Sequence, residues 1–235
     1  MAQGDEDFWL RHAIREAHGT YASALAGRRV DVPGKGKSLL KFGRNLNMGT
    51  AGTRATVWDA GPANEVYVDD NTNPIDSISS SSGSDAIDVV VEGHTDDGTG
   101  AKTFVVQTVT LTGQTRAALT TPLNRCSRVY NNGSTALVGD VYVYQNTALT
   151  SGVPTDTTKI HASVKGTAGR QQTNKCASTI SDADIYFVTS IDVGVQRNAA
   201  TYVDFAFEVR QEGKIFREQA LISASSNSGM KAHRV

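Results

Sequence analysis

Between Tyr202 and Arg210 the chain alternates: Tyr202, Asp204, Ala206, Glu208 and Arg210 interleave with Val203, Phe205, Phe207 and Val209. A period of two is the repeat of an extended strand, and it places the four apolar residues on one face. Gln211, Glu212 and Gly213 follow, then a second strand-like run from Lys214 to Ile222. Gly213 gives the turn a residue free to take positive φ, so the two runs are expected to pair as a hairpin. Two further runs precede it, Gly139 to Gln145 and Ala183 to Val193. Together they predict an antiparallel β unit over Leu137 to Ser223, from which the rest of the chain is expected to hang.

Upstream, strand-like runs recur at short intervals. Arg54 to Asp59 and Glu65 to Val68 are split by Gly61-Pro62. A serine-rich stretch, Ser77 to Ser84, reads as a bridge, with Ile75 and Ile78 spaced for a strand edge. Ala86 to His94 and Lys102 to Leu111 are β-branched runs joined through Asp97-Gly98, a strong hairpin signal. Arg125 to Tyr130 is a short strand ended by Asn131-Asn132-Gly133. Many strands without intervening helices predict a mainly β protein, an antiparallel β-sandwich or jelly roll.

The exception is the N-terminal segment. Over residues 5–27, Phe8, Trp9, Ala13, Ile14, Ala17, Tyr21 and Leu25 fall on one helical stripe, with Asp5 as a cap and Gly27 as a stop. Such an amphipathic helix either folds back on its own sheet or docks on a neighbouring subunit through Phe8 and Trp9. Residues 28–52 are basic and glycine-rich: Arg28, Arg29, Lys35, Lys37, Lys41 and Arg44 face the single acid Asp31. The stretch reads either as a solvated linker or as an extended arm that orders against an acidic partner, with Leu39, Leu40 and Phe42 as apolar groups for such an arm to bury. The expected organisation is a helix (1–27), the arm (28–52), a β domain (53–223) and a flexible tail (224–235).

Chemistry-bearing patterns are sparse. Gly36-Lys37-Ser38 resembles the end of a phosphate loop, but Asp31 stands where a glycine is required and would repel phosphate. Asp69 to Asn73 resembles the opening of a calcium loop, but Pro74 replaces its turn glycine and Ser80 its bidentate glutamate. His12 and His18 share no helical face, and His94, His161 and His233 lack spaced partners. Cys126 and Cys176 lack zinc spacing and are expected to remain thiols. No catalytic residue, metal or cofactor is expected. The N-terminus lacks the pattern of an export signal, and no apolar run is long enough to span a bilayer. A net charge of −1 removes any global field for nucleic acid. Tyr142 and Tyr144, two apart in a strand, are read as an exposed pair on one face, open to a sugar or a neighbouring subunit, although packing against a neighbouring sheet is the commoner reason for such a pair.

Several stretches carry a resemblance. They are Arg44-Asn45 through Gly61, the strand Val106 to Leu111 closing in Leu111-Thr112-Gly113, Arg125 to Ser134, Gly139 to Val143, Gln172-Thr173, and Val209 to Arg217. In these the chain resembles virion structural proteins of tailed bacteriophages, over roughly residues 44–222. It departs at Ile180 to Asp184, where the family often carries a Val-Pro-Ala-Gly-Lys turn. The resemblance implies a sandwich or jelly-roll subunit, a homotrimer, located in the virion, that cements or decorates the head by binding the major capsid protein. Phe8, Trp9, Arg28, Arg29, Lys35, Lys37, Lys41, Phe42 and Arg44 would then make the attachment. The alternative is a tail, collar or head-spike adaptor, or a host-glycan module using Tyr142 and Tyr144.

Overall fold

The structure is a computed structural model that describes residues 41, 43–45, 56–58, 73–96, 102–166, 171–179, 188, 191–195, 202–209, 216–225 and 231–233. The protein is mainly β, its paired strands are antiparallel, and the described residues include one short 3-10 turn, Thr157–Lys159. The expected N-terminal helix lies outside the described residues. The chain divides into two units, Leu39–Ile185 on the one hand and Met1–Ser38 with Tyr186–Val235 on the other. The expected β domain, 53–223, thus straddles two units.

In the first unit, β1 (Ile75–Ser80), β4 (Ala117–Leu123), β6 (Val141–Gln145) and β9 (Ile160–Val164) form a sheet of order β4-β1-β6-β9. A second sheet has the order β3-β2-β5, from β2 (Asp88–Asp96), β3 (Lys102–Thr110) and β5 (Arg125–Asn131). β2 and β3 pair in unbroken register from Asp88↔Thr110 to Asp96↔Lys102, as the Asp-Gly signal predicts. An ion pair of 2.6 Å between Lys102 and Asp96 closes that end. Where β2 and β5 change register, Gly93 lets the strands approach: a Cβ there would stand 2.2 Å from the Arg125 carbonyl. One apolar cluster draws on both sheets, with Ile78 from β1, Val89 and Val91 from β2, Leu123 from β4, Val129 from β5 and Val143 from β6.

The serine-rich stretch is the main departure from expectation. It is no bridge at a sheet edge: β1 lies between β4 and β6, and Ser77, Ser79 and Ser80 are all buried. Alternation explains the composition. Ile78 sits opposite Val143 and faces the core, while Ser77 and Ser79 sit opposite Tyr144 and Tyr142 on the other face. There a small hairpin, β7 (Leu149–Thr150) and β8 (Val153–Pro154), packs against the sheet. Its two-residue turn has Ser151 and Gly152 at φ of 49° and 77°, both in the left-handed region. The Ser79 hydroxyl donates to the Gly152 carbonyl at 2.8 Å. Larger side chains along β1 would push this turn away.

Three loops meet at Asp85, which is 2% exposed. Its carboxylate accepts from the Ser80 hydroxyl, the Val138 amide at 2.8 Å and the Gly139 amide at 2.9 Å. Its main-chain carbonyl accepts from the Gly113 amide at 2.9 Å. A buried carboxylate is tolerated where donors surround it, and here they also lock the loops together.

In the other unit, β10 (Ile191–Val193) pairs with β13 (Lys231–His233), and β11 (Tyr202–Val209) pairs with β12 (Arg217–Ser225). The hairpin forms as its alternation predicts, but it is not the organising core. Val203, Phe205 and Phe207 are only half-buried and Val209 is exposed, whereas the fully buried apolar side chains concentrate in the first unit. The run expected over 183–193 is described as strand only at Ile191–Val193. β13 falls within the expected tail, which therefore contains paired strand.

Candidate functional site

The strongest concentration of chemistry-bearing side chains lies where β5 runs beside β9. Residues 171–176 lie along the outer edge of β5. The Asn131 amide donates to the Gln171 carbonyl and the Thr173 amide to the Val129 carbonyl, both at 2.8 Å. The Val129 amide donates to the Thr173 hydroxyl at 2.8 Å, so a side chain completes what the main chain leaves open. Further along, Lys175 pairs with Trp58, the Cys176 amide donates to the Val57 carbonyl at 2.9 Å, and the Arg44 amide to the Asn174 carbonyl at 3.3 Å. Three segments distant in sequence thereby build one irregular layer over the sheet edge.

Lys175 is its centre and is 4% exposed. Its ammonium donates to the His161 carbonyl of β9 at 2.7 Å and to the Cys126 carbonyl of β5 at 3.2 Å. It also lies 5.1 Å from the centre of the Trp58 ring, within the range of a cation–π contact. One side chain thus ties the two sheets at the β5–β9 junction. At the opposite junction, between β3 and β4, a second does the same. The Gln107 carboxamide donates to the Thr121 carbonyl at 2.8 Å and accepts from the Thr121 amide at 2.9 Å. It imitates a peptide group and so extends the strand pairing from β3 to β4.

Of the basic residues expected to reach a partner, Lys41 and Arg44 are described, and both join this layer. The Lys41 ammonium donates to the Ser127 carbonyl at 2.7 Å. Burial lowers its pKa, against the pull of Cys126 and Glu92. Arg44 is half-buried and paired through its main chain to Asn174. This end of the arm lies on the protein's own body. Phe8, Trp9, Arg28, Arg29, Lys35, Lys37 and Phe42 lie outside the described residues.

Tyr142 and Tyr144 do share a face, but that face is covered and the pair is not exposed. They are 8% and 0% exposed and pack with Trp58 and Ile160 in a second apolar cluster. Burial, reinforced by the Asp140 carboxylate, pushes the Tyr142 hydroxyl up to about 12. Neither ring offers a face to a sugar. The apolar surface that is open includes Phe104 and Val106, 47% and 57% exposed and two apart on β3.

A thiol, a lysine and an imidazole in one cluster invite comparison with a nucleophilic site. Such a site requires a thiolate at moderate pH and a base aimed at it. Burial does the opposite at Cys126, which is 1% exposed and pushed up to about 11. Cys176 is exposed at the surface, although desolvation raises its thiol too, against the pull of Lys41. At pH 8 an aromatic disulfide reagent is therefore expected to label Cys176 in the native protein, and Cys126 roughly a hundredfold more slowly, on unfolding only. Because the folded thiol titrates above the unfolded one, Cys126 contributes nothing to pH dependence at neutral pH. It makes stability fall as pH rises from the ordinary thiol range to about 11. Thermal melts across that range check the sign.

Lys175, Gln107 and Asp85 were not legible as key residues, because each works on main-chain atoms that no side-chain motif encodes. Among the described residues no cluster of histidine, cysteine and carboxylate side chains is arranged to hold a metal ion. No helix among them is long and apolar enough to cross a membrane. Compared with protein families, curated proteins and solved structures, the chain matches none.

Proposed function

We propose that this chain is a virion structural protein of a tailed bacteriophage, a cement or decoration subunit that binds and stabilises the major capsid shell. The observation that carries the reading is what the buried and half-buried polar side chains do. Lys175 and Lys41 are engaged by carbonyls, Asp85 by main-chain amides and Gln107 by a strand. These groups stiffen a β body, as a protein that acts by shape and adhesion requires. The strand orders β4-β1-β6-β9 and β3-β2-β5 around a shared core support a sandwich. Residues 171–173, laid along β5, take the place of the fourth strand that a jelly roll adds to the second sheet.

With Lys41 and Arg44 folded onto the body, attachment falls to the upstream residues Phe8, Trp9, Arg28, Arg29, Lys35 and Lys37, against an acidic face of the shell protein. A homotrimer matches the symmetry of a head lattice. Exposed Phe104 and Val106 suit a protein neighbour and serve equally for a tail or collar adaptor. Copy number separates the two: the cement reading expects on the order of hundreds of copies per particle, a tail part about a dozen. The test is co-sedimentation of the purified chain with assembled shells, repeated with Arg28, Arg29 and Lys37 changed to glutamate. Saturable binding that these changes abolish is expected. No binding of the wild-type chain to shells, or a copy number of about a dozen, would overturn the reading.

A further inference from the structure

β5 ends in a turn whose sequence, Asn131-Asn132-Gly133, carries a chemistry that the fold does not use. Of the described asparagines, Asn132 alone is followed by glycine. Glycine leaves the main-chain nitrogen after an asparagine with no side chain to shield it. Residues 132–136 are all exposed, and a Cβ built on Gly133 would meet nothing nearer than the Asn131 Oδ1 at 3.3 Å. The neighbouring side chain does the holding. The Asn131 Oδ1 accepts from the Gly133 amide at 2.8 Å, and its Nδ2 donates to the Thr135 carbonyl at 2.6 Å and to the Gln171 Oε1 at 2.9 Å. The Gln171 Oε1 also accepts from the Leu137 amide at 2.7 Å. Two side chains therefore tie this turn to the layer along β5.

We infer that Asn132 is a site of spontaneous deamidation in the native protein, and that Asn131 sets the rate by restraining the Gly133 nitrogen. The Gly133 nitrogen attacks the Asn132 Cγ, and the new C–N bond closes a five-membered imide. The Cγ–Nδ2 bond breaks, and ammonia leaves with the proton that the Gly133 nitrogen gives up. Water then opens the ring at either carbonyl. The products are aspartate, or isoaspartate with the main chain rerouted through the former side chain. Solvent is the one co-reactant, and nothing is oxidised or reduced. Attack requires the Gly133 nitrogen to lose its proton and swing onto Cγ. In the closed turn that N–H is donated to a neutral amide oxygen, which favours the protonated nitrogen and holds it in place. The reaction therefore proceeds from an opened turn. With no buried side chain between 132 and 136, opening is a local event of low free energy. Either product places a negative charge at the end of β5, and isoaspartate also adds a methylene to the main chain there.

This inference does not rest on the virion reading, and its test uses the isolated full-length chain. The folded protein is incubated in mildly alkaline buffer made with heavy-oxygen water, then digested and mapped by mass spectrometry. Heavy oxygen in the peptide that carries residue 132 dates the change to the incubation. Wild type is expected to accumulate aspartate and isoaspartate at 132 well ahead of any change at Asn146, which is also exposed. In Asn131→Ala, conversion is expected to run roughly tenfold faster. Exchange of the Gly133 amide is expected to quicken in step, with the amides of β1 and β6 unchanged. Should Asn131→Ala fail to fold, Gln171→Gly carries the test. It removes an acceptor of the Asn131 Nδ2 and suits the φ of 55° at that position, and it is expected to speed conversion in the same direction. Native wild type that changes at 132 no faster than at Asn146 would overturn the assignment of the site. Conversion at the wild-type rate in a folded variant would overturn the role given to Asn131.

Discussion

Replacing Gly152 with alanine is expected to destabilise the first unit by about 3 kcal/mol or more, measured by urea unfolding. Two effects add. At a φ of 77° a side chain is strained whatever space surrounds it, at about 1–2 kcal/mol. Space is also lacking, since a Cβ would stand 1.8 Å from the Ser80 carbonyl oxygen and 2.9 Å from the Cα of Gln114. Those are main-chain atoms of a central strand and a loop, so the β7–β8 hairpin must lift and break the Ser79–Gly152 hydrogen bond. Ser151→Gly is the control. Ser151 also has positive φ, at 49°, so glycine there relieves strain and the change is expected to be neutral or stabilising by about 0.5 kcal/mol. A loss under about 1 kcal/mol for Gly152→Ala would mean that the turn is not seated on β1.

Lys175→Ala is expected to cost about 3–5 kcal/mol, a fall in Tm on the order of 10 °C. The buried carbonyls of His161 and Cys126 lose a charged donor, and the stem beside Trp58 leaves a void. Lys175→Met restores the volume and also removes the cost of burying a charge. Its loss is expected to be smaller, at about 1–3 kcal/mol, because the carbonyls still lack the donor. Gln107→Ala, on a half-buried side chain, is expected to cost about 1–2 kcal/mol. Equilibrium unfolding of the three variants checks the order. These magnitudes also assign roles. At about 2 kcal/mol per buried aliphatic side chain, the shared apolar core drives collapse. The junction residues then decide which strands meet.

Much of the fold was legible where local pattern and final environment agree. The β2–β3 hairpin has two β-branched runs and a turn signal, and β6 has Val141 and Val143 facing the core. β1 was misread because serine is normally a turn residue, yet here Ser77 and Ser79 line a face that must be thin enough for the β7–β8 turn. β4 and β9 gave no strand signal: Ala117, Ala118 and Pro122 blur the first, and Ile160–Val164 is short, with His161 and Ser163 buried among apolar neighbours. The hairpin over 202–222 had the cleanest alternation, and pairing followed from it. Centrality did not, because alternation reports a half-buried strand and says nothing of how large a core lies beneath.

The candidate site was less legible than the fold. Lys175 reaches carbonyls 14 and 49 residues away in sequence, and spacing rules do not register main-chain partners at such separations. Lys41 and Arg44 read as part of a solvated linker or a partner-binding arm, because charge runs usually face solvent or another molecule. Their positions follow from the open edge of β5, which needed covering and drew the nearby chain onto itself.

Native-state hydrogen exchange at that edge tests the central claim, that side chains and an irregular layer close the first unit where its two sheets meet. The amides of Val129, Asn131, Thr173 and Cys176 are predicted to exchange nearly as slowly as those of β1 and β6 in wild type, and to lose that protection selectively in Lys175→Met. Rapid exchange of these four amides in the wild-type protein, with β1 and β6 still protected, would contradict it.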